Sequence, residues 1–244
     1  MPLLLAAGAQ TAQGVQAMPS AAPAAFLAAE VGAFPAPSGR HCNAVLKRAF
    51  DLVFAAAFLV LTLPFLVALA IALKWNSPGP LFFVQRRVGR NGALFGCIKF
   101  RTMRVDADAV LASLLATCPA ARAEWTADHK LRDDPRVSRL GRVVRKLSLD
   151  ELPQLINIVR GEMSVVGPRP IVQAEVPRYG AAFADYSAVK PGLTGLWQVS
   201  GRNDTTYAVR VRLDSEYRHR ASFLFDLGIV LRTVPAVLCA KGSY

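Results

Sequence analysis

Metal-binding and redox signatures are missing from this chain. Four cysteines are spread through 244 residues and none forms a Cys-x-x-Cys pair, which argues against a zinc knuckle or a dithiol centre. The histidines, His41, His129 and His219, lie far from one another, so a histidine metal site is excluded and any metal should be a hard ion held by oxygen. Isolated cysteines fit a reducing compartment. Acids are also scarce: 17 Asp and Glu stand against 29 Lys and Arg, a net charge of +12. Such a surface suits nucleic acid, anionic headgroups or a phosphorylated substrate. No recognisable nucleic-acid motif accompanies the charge, so no nucleic-acid partner is expected.

Apolar residues make up 53% of the chain, and mean hydropathy is +0.31. This fits one membrane segment attached to a small globular body. Residues 1–43 form an Ala/Pro-rich tail expected to be disordered. Leu3-Leu4-Leu5 has no basic flank and is too short for a signal-peptide core. The main apolar run, Ala49 to Leu73, is interrupted only by Asp51 and Thr62 among polar residues, and is long enough to cross a bilayer. Pro64 removes a backbone donor inside it, so a kink or break is expected there. One version is a kinked span. The other is a re-entrant hairpin within 44–76. Lys47 and Arg48 on one flank, and Lys74, Arg86, Arg87 and Arg90 on the other, favour the same side for both ends.

Residues 77–244 form the expected catalytic domain. Leu81–Val84 and Leu94–Ile98 read as strands around a Gly89–Gly92 turn, which makes a short β-hairpin with basic ends. Residues 105–130 are Ala- and Leu-rich and read as helical. A basic amphipathic helix is expected from Asp134, with Val137, Leu140, Val144 and Leu147 on its apolar face. Arg136 is assigned to its solvated face, while the other arginines suit phosphates. A helix over 149–160 and a strand over 163–166 follow. Phe183 and Tyr186, within 180–188, are expected at the membrane surface. The apolar stretch near Phe223–Leu231 contains Asp226 and is expected to be buried or interfacial. The fold class is α+β: a mainly helical, membrane-associated domain with a short hairpin and a proline-broken membrane helix.

Ser148-Leu149-Asp150-Glu151 concentrates the chemistry. Its plain reading is a helix capping box, Ser148 capping and Glu151 reaching back. Its functional reading uses the same start: a carboxylate at a helix N-terminus, beside Arg145 and Lys146, stays ionised and can attack phosphorus. The neighbouring acid can hold Mg2+. Arg169, pinned between Pro168 and Pro170, supplies a rigid phosphate fork.

Six pieces in order resemble the bacterial sugar transferase family, the monotopic polyprenyl-phosphate phosphoglycosyl transferases. They are Lys47–Asp51, Ser77–Pro80, Gln85–Gly89, Lys99–Met103, Ser148–Gln154 and Gly167–Pro170. The resemblance covers roughly 44–244. It implies a bacterial inner-membrane enzyme with its site on the cytoplasmic face and a re-entrant helix near Pro64. It also implies a two-step transfer of sugar 1-phosphate from a UDP-sugar to undecaprenyl phosphate, with release of UMP. Carried over by position, Asp150 is the nucleophile and Glu151 the partner acid at Mg2+. Lys99, Arg101, Arg145 and Arg169 are the substrate-binding cations. Leu63 stands before Pro64, where family members often have serine. The stretch from Lys190 to Asp214 is similar to short exopolysaccharide-initiating members, many of which transfer galactose 1-phosphate. Trp197 within it is a core residue by composition, or a stacking surface for sugar or base. The rivals are a glycosyltransferase that releases UDP and a non-catalytic basic adaptor for membrane lipids. Oligomeric state is open, with a homodimer as one option.

Overall fold

The computed structural model describes residues 41–128, 131, 133–201 and 205–238. The expected disorder of 1–40 lies outside them, as do Arg202, Asn203 and Asp204 of the family-like C-terminal stretch. The chain opens with helix α1 (His41–Asn76), so helix begins at His41 rather than at the expected boundary of Ala44. Its 36 residues reach roughly 54 Å at 1.5 Å per residue. Within Ala44–Asn76 it has an 18-residue window of mean hydropathy 2.7, of which only 17% is buried, so it is long and apolar enough to cross a membrane.

Pro64 does not divide α1, which continues through it as one helix. The Thr62 hydroxyl donates to the Phe58 carbonyl at 2.6 Å, one turn back, a bond that bends helices without ending them. The expected break is therefore not seen. Both ends of α1 lie on the same body. Near its start, Lys47 and Arg48 bond to groups on the globular domain. Near its end, Leu66, Leu69 and Leu73 pack with Phe100 and Val144. Asp51 is 2% exposed and accepts from the Ser164 hydroxyl and the Val165 amide, both at 2.9 Å.

Strands β1 (Phe82–Val88) and β2 (Leu94–Phe100) form the antiparallel hairpin that the Gly89–Gly92 signal announced, each longer than expected. Asn91 takes a left-handed φ of 57° in the turn, a conformation asparagine tolerates. Facing pairs Gln85 with Cys97 and Arg87 with Phe95 alternate with pairs such as Val84 with Ile98. The strand period thus puts Gln85, Arg87, Cys97 and Lys99 on one face.

Next come α2 (Ala107–Thr117) and α3 (Pro119–Asp128), separated where Pro119 starts a new helix. The basic helix α4 spans only Arg139–Lys146, later than expected. Asp134 instead folds onto Arg136, and the Ser138 hydroxyl caps α4 by accepting from the Gly141 amide. Val137 lies outside the helix, bridged to Met103. Arg136 is buried rather than solvated: Asp134 holds it at 2.7 Å and its guanidinium sits 4.9 Å from the Trp125 ring centroid. Here charge pairing and stacking overrode the face periodicity.

Helix α5 (Gln154–Arg160) leads to β3 (Ser164–Val166), which pairs in parallel with β4 (Gly192–Thr194). Between these strands lie α6 (Val176–Tyr179) and α7 (Phe183–Ala188). Tyr186 does not rest at a surface. It is 1% exposed, donates to the Val88 carbonyl and accepts from the Ile171 amide. Burial with both hydroxyl roles satisfied makes it part of the core. After α8 (Leu196–Val199), α9 (Tyr207–Arg220) and α10 (Phe223–Leu238) complete the domain. α10 buries Asp226 and Ile229 while exposing Leu224, Leu231 and Val234, the pattern expected of an interfacial helix. Trp197 is buried, its indole bonded to Thr205 at 2.8 Å, and so takes the core reading.

Candidate active site

The two acids do not begin an α-helix. Ser148 adopts φ 57° and its side chain caps nothing, so the capping box is absent. This left-handed residue turns the chain out of α4 into a single 3-10 turn, Leu149–Glu151, with Pro153 just before α5. Glu151, instead of reaching back, reaches across to Lys99 and Arg169. Asn157 secures the turn from behind. Fully buried on α5, it accepts from the Ile98 amide at 3.0 Å and donates to the Gly96 carbonyl at 2.7 Å. The edge of β2 is thereby satisfied, and α5 is held against the hairpin.

A narrow cleft results, lined by Arg87, Cys97, Lys99, Glu151, Gln154, Arg169 and Pro170, with Gly192 and Leu193 at its wall. Lys99 Nζ donates to Glu151 Oε1 at 2.7 Å. Arg169 donates to the same oxygen at 2.9 Å and lies 3.5 Å from the other. Burial alone would push the Glu151 carboxyl up, but Arg169 and Lys99 outweigh it and hold its pKa well below the usual carboxylate range. The Glu151 charge in turn raises the Arg169 pKa against burial.

Asp150 is the opposite case. Among the described residues, none donates a hydrogen bond to its carboxylate. Burial first, then the neighbouring Glu151 charge, push its pKa up to about 6, against Lys99, Arg145 and Arg169. The expectation that basic neighbours and a helix terminus would lower it is thus reversed. Lys146 is exposed on α4. At neutral pH the Asp150 carboxylate is still mainly ionised, and more basic than an ordinary aspartate. Two adjacent acids driven apart in pKa is the pattern of a divided acid pair.

Arg145, half-buried on α4, donates to the Thr102 hydroxyl at 2.8 Å. Burial lowers its pKa, and the Asp150 charge counters part of that. Arg101 is not brought to the acids. Its guanidinium donates to the carbonyls of Ser77 and Pro78 at 2.8 and 2.9 Å, and a Cβ at Gly79 would meet it at 2.5 Å. Gly79, with φ 121°, allows that close approach. Arg101 therefore braces the turn between α1 and β1. The sequence did not single out Arg87, Cys97 or Gln154 as site residues. Arg87 was read as a flanking cation within a family-like piece, and its place beside Cys97 and Lys99 follows only from shared strand parity.

A Mg2+ ion needs one or two carboxylates, with waters and substrate phosphates completing its shell. No group of three or more His, Cys, Asp or Glu side chains that could hold a metal occurs among the described residues. The adjacent pair Asp150 and Glu151 matches the smaller donor set, and the more weakly engaged Glu151 oxygen is the one facing Arg169 at 3.5 Å.

Residues 42–240 match the model of the bacterial sugar transferase family. The chain is 48% identical over 225 residues to the exopolysaccharide production protein ExoY of Sinorhizobium fredii, which covers 92% of this chain and 97% of that protein. It is 42% identical over 206 residues to the UDP-glucose:undecaprenyl-phosphate glucose-1-phosphate transferase of Caulobacter vibrioides, covering 81% of this chain and 72% of the relative. It is also 47% identical over 205 residues to the undecaprenyl-phosphate galactose phosphotransferase of Salmonella typhimurium. That match takes in 84% of this chain but 43% of the relative, so the chain spans less than half of that longer protein. With the match running from the foot of α1 to the end of α10, the chain belongs to the bacterial sugar transferase family.

Proposed function

We propose that this protein transfers a sugar 1-phosphate from a UDP-sugar to undecaprenyl phosphate, and so starts exopolysaccharide assembly on a lipid carrier. The observation that carries the reading is the division between Asp150 and Glu151. One carboxylate accepts no hydrogen bond among the described residues, is raised in basicity and lies near three cations; the other is engaged by Lys99 and Arg169 chiefly through one oxygen. A free carboxylate of raised basicity is the better nucleophile, and fixed cations beside it match the charge of a diphosphate.

In the first step an Asp150 oxygen attacks the β-phosphorus of the UDP-sugar. The bond from that phosphorus to the bridging oxygen breaks, and UMP leaves with the electron pair. In the second step an oxygen of undecaprenyl phosphate attacks the same phosphorus and displaces the Asp150 carboxylate. The product is an undecaprenyl diphosphate sugar, and Asp150 is restored. Lys99, Arg145 and Arg169 offset the charge that accumulates on the phosphoryl oxygens. Arg101 acts at one remove, through the turn that it braces. Glu151 would hold Mg2+, which when bound supplies further positive charge to the diphosphate. The donor sugar is proposed to be galactose or glucose.

α1 anchors this site at the membrane. A straight span would carry its two ends to opposite sides of a hydrocarbon layer about 30 Å thick. Because both ends of α1 pack on one body, we propose that it enters and leaves the membrane by the same face, with the catalytic domain on the cytoplasmic side. A water-soluble nucleotide and a lipid phosphate then meet at headgroup height.

Protein in detergent with Mg2+, undecaprenyl phosphate and UDP-galactose or UDP-glucose should release UMP. Release of UDP instead would mean simple glycosyl transfer and would remove Asp150 from the nucleophile role. Liposome binding with neither product across a panel of UDP-sugars would favour the adaptor.

A further inference from the structure

The turn that carries Arg169 is held by a second set of charges centred on Glu175. Consecutive carbonyls of its turn are clasped from two sides. Arg87, from β1, donates to the Pro170 carbonyl at 2.9 Å. Arg210, from α9, reaches the Arg169 carbonyl at 3.5 Å. The two arginines meet at Glu175. One of its oxygens lies 3.9 Å from Arg87, the other 3.4 Å from Arg210. Glu175 is itself fixed: the Val172 amide donates to it at 2.9 Å and the Tyr207 hydroxyl at 3.2 Å. Behind Arg210 stands Asp214, 1% exposed and 3.9 Å from the Arg210 Nε, accepting from Tyr179 at 2.7 Å.

We propose that Glu175, with Arg87 and Arg210, is a positioning set that fixes Arg169 on Glu151 and keeps Arg87 off it. This rests on the reading of Arg169 as a phosphate-binding cation. The physical need is clear from the charges. Arg87 lines the same cleft as Glu151, and its pKa is lowered first by burial and then by the Arg169 charge beside it. Arg87 feels the Glu151 charge yet bonds to Gln85 and the Pro170 carbonyl and lies 3.9 Å from Glu175. Glu175 supplies the second carboxylate, drawing Arg87 toward the turn carbonyls and leaving Glu151 to Arg169 and Lys99. A carboxylate shared by two arginines from distant segments is also a register device. It ties β1 and α9 to the turn on which Arg169 rides. None of the three residues touches the proposed reacting atoms, so they act through Arg169.

A double-mutant cycle tests this. Glu175→Gln keeps size and polarity but removes the counter-charge. It should lower UMP release about tenfold in the wild-type background and by less than about twofold in the Arg169→Ala background. The loss should fall on kcat more than on KM for undecaprenyl phosphate, and Glu175→Asp should recover part of it. Equal losses in both backgrounds would show that Glu175 serves the fold alone and would overturn the proposal. If Glu175→Gln does not fold, Arg87→Lys replaces it in the same cycle, because it keeps the charge and loses the fork to Gln85 and Pro170. A second readout does not depend on the reaction. Amide exchange over 167–172 should quicken in Glu175→Gln while exchange in α5 stays unchanged. If the wild-type protein releases no UMP, the functional reading fails, and this exchange still decides the brace: an unchanged 167–172 segment would sink it.

Discussion

Two charged networks serve this molecule, and they are built on opposite rules. At the foot of α1 every strong group finds a partner. Lys47 meets Asp226 at 2.5 Å, the Tyr217 hydroxyl at 3.3 Å and the Val166 carbonyl at 3.1 Å. Arg48 closes on the carbonyls of Ile158 and Val159, at the C-terminal end of α5, where a cation is favoured. Asp51 takes two donors from β3. Around the acid pair cations outnumber the acids, Asp150 accepts no hydrogen bond among the described residues, and Arg145 donates to the neutral Thr102 hydroxyl. A network that holds structure closes on itself. A network that does chemistry keeps an uncompensated charge for a ligand to complete.

The largest effects should separate these networks cleanly. Asp150→Asn should lower UMP release by roughly a thousandfold or more, the scale of removing a nucleophile. Its thermal midpoint in detergent should stay the same or rise, because the native site disfavours the ionised aspartate it loses. Asp51→Ala should do the reverse. Two buried donors lose their acceptor, so stability should fall by about 1–3 kcal/mol, while each molecule that remains folded keeps most of its rate. Thermal unfolding and UMP release measured on the same samples decide the matter. A stable, inactive Asp51→Ala protein would break the contrast between the two networks.

Much of this plan was legible in the chain. The hairpin was marked by its glycine turn and basic ends, and the adjacent acids and Pro168-Arg169-Pro170 were found as one-dimensional signals. Lys99, Glu151 and Arg169 do converge, from β2, the 3-10 turn and the turn after β3, whereas Arg145 bonds to Thr102 instead. The misreadings share a cause. Ser148 with an acid three residues on satisfies the spacing of a capping box, yet its left-handed backbone aims Glu151 at cations brought in from β2 and the turn after β3. Arg136 fits a solvated face by period and is buried by an acid two residues back. Arg87 and Arg210 were noticed only as a flanking cation and as part of family-like stretches, and Glu175 not at all, because nothing local links the three; only the packing of α9 against the turn does so. Pattern gives the reach of a side chain; the partner waiting there comes from the tertiary fold.

The acid pair also sets a pH dependence of intermediate size. The proposed mechanism requires ionised Asp150, whose pKa is raised to about 6. Activity should therefore fall as pH drops through that value, reaching about one-tenth of its plateau at pH 5. Stability responds with both signs. Between the ordinary aspartate value and about 6, the folded protein binds a proton at Asp150 that the unfolded chain has lost, so this group's contribution declines as pH rises through that window. Glu151, with its depressed pKa, contributes above the ordinary glutamate value, and that contribution is lost as pH falls below it. An acidic limb that stays flat to pH 5 in the UMP assay would leave the Asp150 environment wrongly described.

The smallest effect tests how the open network is kept open. Arg145 has its side chain fixed by the Thr102 hydroxyl, and Asp150 attracts it. Thr102 is 5% exposed, so Thr102→Val preserves shape and deletes the acceptor. Losing one such bond corresponds to a rate change of about two- to tenfold. The direction of a second change is more telling. A released Arg145 can close on Asp150, favour its ionised form and move the acidic limb of the pH profile downward, even as the less basic carboxylate attacks more slowly. Thr102→Ser restores the hydroxyl and should restore both the limb and the rate. A slower Thr102→Val enzyme with an unmoved limb would mean that burial alone holds Arg145 away from Asp150. In that case the separation of cation from carboxylate belongs to the packing of α4, not to the hydrogen bond.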